Sequence, residues 1–147
     1  MSHREIKDVV ADAFGGNTDA FNQLIGTSVL KGIGIVSIFA WVQSYYPEAR
    51  WSQILNPPHA WSDFEEWNNL RRIRHCFAHS YEGDLLVAQG PCIIAFHQRL
   101  VNGEFTDDNG NAIKPYYKIE NNRVVLENNA VRRARALCIR FLDNHTP

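Results

Sequence analysis

The segment Arg74-His75-Cys76-Phe77-Ala78-His79-Ser80-Tyr81 gathers a guanidinium, imidazoles and a phenol at the end of one expected helix. Arginine is a permanent cation whose fork of N–H donors matches phosphate oxygens. Histidine holds or releases a proton near neutral pH. His79 lies five positions after Arg74, about 7.5 Å further along a helix axis and about 140° round it, so the two groups converge through the arginine's long reach. It also falls in the expected last turn, where the helix dipole favours a cation. The chemistry this set suits is carried out on a phosphate.

Cleaving RNA without a metal has the same requirements. The ribose 2′-OH must lose a proton, the 5′-oxygen must gain one, and charge on the phosphate oxygens must meet oriented donors. One histidine does not easily perform both transfers. A two-fold dimer carries every residue twice and brings a second copy of each group to one cleft.

The helix that carries these residues is expected from Ser62 to about Ser80. Ser62-Asp63-Phe64-Glu65 reads as a capping box. Phe64, Trp67, Leu70, Ile73, Phe77 and Ala78 make an apolar stripe, and Gly83 follows as a stop. Arg74 falls within that stripe, where a guanidinium is costly without a partner. An anion or another chain should therefore meet it. The structural alternative is an ion pair with Glu66, Asp63 or Asp84, with His79 a plain helix-end histidine.

The remaining elements are mostly helical. Ile6, Val9, Val10, Ala13 and Phe14 give Glu5–Phe14 a helical period that ends at Gly15-Gly16. A second helix, capped by Asn17 or Thr18, is expected to run to about Tyr46 before Pro47, with a kink at Gly32 and Gly34. Residues 50–55 suit a short helical turn before the break at Asn56-Pro57-Pro58. Cys92–Val101 reads as helix because it lacks alternation. The turn cue Asp108-Asn109-Gly110 and a weaker one at Asn121-Asn122 predict a three-stranded antiparallel meander. The first turn is flanked by 104–106 and 112–114, and the second by 116–119 and 124–126. Asn128 or Asn129 caps a last helix from Ala130 to about Leu142.

Composition frames these readings. A chain of 147 residues with 45% hydrophobic content can bury one core, which predicts a single domain over residues 1–147. Fifteen basic and sixteen acidic residues nearly cancel, so any hold on nucleic acid must come from local clusters. Arg71, Arg72 and Arg74 form one such cluster, and Arg132, Arg133, Arg135 and Arg140 another; each suits either RNA or a solvated helix face. Cys76, Cys92 and Cys138 are odd in number and widely spaced, and the opening Met-Ser-His-Arg-Glu lacks a secretory h-region. Reduced thiols in a cytosol are expected. Leu24 to Val42 has nearly the length of a bilayer span, but Lys31 near its middle argues for a soluble helix and against membrane insertion.

The run Arg-x-x-x-x-His, here Arg74 to His79 with the polar His75 directly after the arginine, resembles the motif of the HEPN superfamily. Tyr81 extends the likeness to Arg-x-x-x-x-His-x-Tyr, the form found in HEPN toxins paired with a minimal nucleotidyltransferase antitoxin. The resemblance implies a mainly α, HEPN-like helical bundle, here with the β-meander at about 103–126 inserted before the last helix. It implies a homodimeric, cofactor-free and metal-independent endoribonuclease of a toxin–antitoxin or phage-defence system, leaving a 2′,3′-cyclic phosphate. Arg74 and His79 are then the catalytic pair, His75 and Arg71 contact substrate, and Tyr81 is a regulatory target of the partner antitoxin. The alternative is a non-catalytic HEPN-like module that dimerises and binds nucleotide, RNA or a protein.

Two rival readings remain. His75 and His79 are spaced as two zinc ligands on one helix face beside Cys76, and His97, Cys92 or Glu82 would have to complete a site. Trp41, Trp51, Trp61 and Trp67 suit core and dimer-interface anchors better than base-stacking platforms.

Overall fold

A computed structural model describes residues 27–51 and 61–145. The expected helix Glu5–Phe14, the cap at Asn17 or Thr18 and the break at Asn56-Pro57-Pro58 lie outside the described residues. Among the described residues four α-helices, α1 (Thr27–Tyr45), α2 (Phe64–His79), α3 (Gly90–Val101) and α4 (Ala130–His145), surround a shared core. Two antiparallel strands, β1 (Tyr117–Glu120) and β2 (Arg123–Leu126), precede α4. A single 3-10 turn, Glu48–Arg50, follows α1.

Helix α1 continues through both of its suspect glycines, and Gly32 has a packing role. A Cβ there would run into the ring of Phe77 on α2, so hydrogen in its place lets the two helices approach. Ile35, Phe39 and Val42, at helical spacing, face inward and are fully buried. From α4, Phe141 stacks on Trp67 with centroids 4.2 Å apart and planes within 4°. Trp51 closes on this pair edgewise, Phe39 lies tilted against Trp67, and the Trp51 indole N–H donates to the Tyr46 carbonyl at 2.9 Å. Of the four tryptophans, Trp51 and Trp67 are core, whereas Trp41 stands 43% exposed on α1. By length and apolar content α1 could cross a bilayer, yet it packs between α2 and α4 and its Lys31 donates to Asn128 at 2.9 Å. Those contacts fit a helix of a soluble fold.

The capping box at Ser62 does not form. The cap residue is Asp63 and its side chain makes no capping bond. The reason is competition from arginines: Asp63 takes Arg140 at 3.3 Å, and Glu65 takes Arg99 at 2.8 Å. At the other end, α2 stops where Ser80 turns to extended backbone. Gly83 then adopts φ +76°, and a Cβ there would press on the Phe77 ring and the Val124 carbonyl.

The meander is a two-stranded hairpin. Asn121 and Asn122, at φ 51° and 61°, form its tight turn, so the weaker cue makes the ladder. The stronger cue makes a loop closed by the lone bridge Thr106–Ala112. Asp107 Oδ1 accepts the N–H groups of Asn109 and Asn111, which holds the tip. The flanks then leave the ladder: Phe105 packs on Phe96 with centroids 4.6 Å apart, and Pro115 offers no N–H to extend pairing.

The hairpin also secures the end of α2. Val124 donates to the Gly83 carbonyl at 2.8 Å, and Leu85 donates to the Asn122 carbonyl at 2.9 Å. Arg123 grips Glu82 and Asp84 at 2.6 and 2.7 Å. The residues that follow the Arg-x-x-x-x-His run are thus clamped by the insertion.

Candidate functional site

Helical spacing brings Arg71, Arg74 and His75 to one flank of α2, and the 3-10 turn lays Glu48 against it. Arg74 Nη2 donates to Glu48 Oε1 at 3.0 Å, while Gln43 holds the other carboxylate oxygen at 3.0 Å. The Arg74 side chain is only 13% exposed and its Cζ stands 5.7 Å from the Phe39 ring centroid. The sequence correctly required a partner for this cation but named the wrong acids. Glu66, Asp63 and Asp84 are each claimed by another arginine, namely Arg133, Arg140 and Arg123. Glu48 follows the Pro47 break, so only the chain's return after α1 brings it to Arg74. One donor is left over: Arg74 Nε is buried with no acceptor.

His75 is half-buried, and Arg71 Nη1 lies 3.1 Å from its Nε2. Burial is the largest cause that pulls the imidazole's pKa down to about 4, followed by the charges of Arg74 and Arg71, with Glu48 opposing. His75 is therefore neutral at pH 7. Because a guanidinium can only donate, Nε2 must accept and the proton sits on Nδ1. Arg71 also donates from Nε to Asn68 at 2.9 Å. Burial and the neighbouring Arg72 and Arg74 lower its pKa, but it remains a cation.

His79 is exposed in the last turn of α2, without a hydrogen-bond partner among the described residues. It is near enough to His75 for its charge to be felt there. No hydrogen bond links it to Arg74. Tyr81 is 8% exposed, packed where α2 gives way to the hairpin, and close enough to Arg123 to influence its charge.

The basic strip divides between two faces. Arg72 turns away from Arg71 and Arg74 into a cavity of about 460 Å³ shared with Cys92 and Arg99 on α3. The cluster on α4 divides as well: Arg133 and Arg140 are spent on Glu66 and on Asp63 with Asp108, whereas Arg132 and Arg135 project outward. Among the described residues no three histidine, cysteine or acidic side chains converge as a metal would require. The ring nitrogen His75 would offer is turned to Arg71, and Glu82 is turned to Arg123.

One pH dependence follows from His75. Its imidazole binds a proton more weakly folded than unfolded, so the folded chain takes up fewer protons as pH falls from 6.5 toward 4. This contribution to stability is present above pH 6.5 and is lost through that window. Solvent screening of a half-buried ring leaves about 1 kcal/mol of the effect. Urea midpoints should show it: His75→Gln narrows the stability difference between pH 7 and pH 4.5, and an unchanged difference would refute the assignment.

The geometry defines a mainly helical domain with a buried arginine and an exposed histidine on one helix, backed by a β-hairpin. Comparison with known proteins adds nothing to this class: no family model, curated protein or solved structure matches the chain.

Proposed function

We propose that this chain is a metal-independent endoribonuclease of the HEPN type, acting in the cytosol as a homodimer in a toxin–antitoxin or phage-defence system. The observation that carries the reading is a largely buried Arg74, short of one acceptor at Nε, with an exposed His79 five residues further along the same helix. Arg74 binds and polarises the scissile phosphate. One His79 takes the 2′-OH proton as the 2′-oxygen attacks phosphorus, and the second copy's His79 protonates the departing 5′-oxygen. The products are a 2′,3′-cyclic phosphate and a 5′-hydroxyl. Neutral His75, fixed by Arg71, presents its Nδ1–H as an orienting donor, and Arg71 adds positive charge for the RNA backbone. Tyr81, held beside Arg123, is the point at which a nucleotidyltransferase-like antitoxin would act.

The Glu48–Arg74 pair favours a second reading. A carboxylate already on the guanidinium suits a non-catalytic module that recognises nucleotide or a protein partner. Purified protein incubated with RNA in excess chelator separates the two. The ribonuclease cuts and leaves cyclic phosphate ends, whereas the module retains RNA intact. Cleavage abolished by chelator would overturn the metal-independent mechanism.

A further inference from the structure

A cavity of about 480 Å³ lies between the Asp107–Lys114 loop and α4, and none of Arg71, Arg74, His75 or His79 lines it. Ala112, Ile113 and Ala136 give it accessible apolar walls, and Lys114 and Arg132, both exposed, line it as well. Neither cation has an ion-pair partner among the described residues. Both line this one cavity, and the Asn129 amide, three residues before Arg132, reaches the Lys114 carbonyl at 3.5 Å. Of the other charged groups there, Arg133 is neutralised by Glu66, and Asp107 keeps its charge but is tied to its own loop. Arg133 is held by Glu66 through two bonds of 2.8 and 2.7 Å, and Asp107 gives one oxygen to two N–H groups of its own loop.

We infer that this cavity binds a nucleoside monophosphate, its base against the Ala112, Ile113 and Ala136 walls and its phosphate between Lys114 and Arg132. A pocket of this size with mostly apolar walls and a few convergent polar groups is what small organic ligands require. Two uncommitted cations lining one cavity match a single phosphate group. An RNA strand fits less well, because it needs cations at successive phosphates. The next cation on α4, Arg135, faces a separate groove with Ser37, Ile38 and Trp41 on α1, and Lys118 is paired with Glu120. The site stands whether or not the motif on α2 cuts RNA.

Calorimetric titration of the full chain with the four nucleoside 5′-monophosphates, adenosine and inorganic phosphate tests the assignment. At least one monophosphate should bind about tenfold or more tightly than adenosine or phosphate alone, since both halves of the ligand are engaged. Arg132→Gln and Lys114→Gln should each weaken it about tenfold. Ala136→Trp, which fills the cavity, should abolish binding, while Arg74→Gln and His79→Ala leave it unchanged. The proposal fails if no monophosphate binds, if phosphate alone binds as well, or if Arg74→Gln removes the binding. It fails equally if Arg132→Gln weakens only a single-stranded oligoribonucleotide, which would make this face part of an RNA track. RNA cleavage without nucleotide binding would sink this inference and leave the ribonuclease untouched.

Discussion

If the proposed mechanism holds, His79→Ala should lower the rate of RNA cleavage by about 10²- to 10⁴-fold, the range that positioned proton transfer contributes. The same substitution leaves the folding midpoint almost unmoved, because the ring is exposed and makes no hydrogen bond within the described structure. Exposed substitutions of that kind usually stay within about 0.5 kcal/mol. Lost activity with retained stability is the signature that separates a chemical role from a structural one. Arg74→Gln should also abolish cleavage, but with a second consequence. It removes a largely buried cation and releases Glu48, so stability falls as well. Arg74→Lys does not rescue it, since an ammonium lacks the planar fork that serves Glu48 and a phosphate together. Cleavage by His79→Ala at the rate of the unaltered protein would end the mechanism.

The helices were legible because periodicity is local. The stripe of α2 places Trp67, Leu70, Ile73 and Phe77 fully inside, and α3 follows from the apolar run after Pro91. Which polar group satisfies which other is not local. Ser62 and Glu65 have the spacing of a capping box, yet Arg99 and Arg140, far along the chain, draw the box acids away. The relative strength of the two hairpin cues is likewise not a local property. Asp107 satisfies its own loop so well that the flanks need no ladder, while Asn121-Asn122 lies between strands buried on the core. In the candidate site, the need of Arg74 for a partner followed from its place on the apolar stripe. The identity of that partner, Glu48, depended on how the chain returns after Pro47, and no spacing records that.

Glu66 should be the costliest charged side chain to replace. It is 3% exposed, receives both arms of Arg133 and accepts the Tyr116 hydroxyl at 3.0 Å. Burial, then the Glu66 charge, raises the Tyr116 pKa well above the usual range, so the phenol stays a donor at any physiological pH. The carboxylate joins three elements: α2 through its own backbone, the start of the hairpin through Tyr116, and α4 through Arg133. Glu66→Gln keeps the volume but leaves the Arg133 guanidinium, 15% exposed, without its counter-charge. Breaking a buried pair in this way costs about 3–5 kcal/mol, against a total of about 5–15 kcal/mol for a domain. The exposed pair Arg99–Glu65, at 42% and 62%, gives the contrast: Glu65→Gln should cost no more than about 1 kcal/mol. Removing both buried charges and the phenol that donates to Glu66, as in Glu66→Leu with Arg133→Met and Tyr116→Phe, should recover most of the loss, because the penalty lies in the orphaned polar groups more than in the missing attraction. Urea denaturation of the single and triple variants reads all of these. A single Glu66→Gln loss below about 1 kcal/mol would mean that solvent reaches Arg133 freely and would refute the assignment.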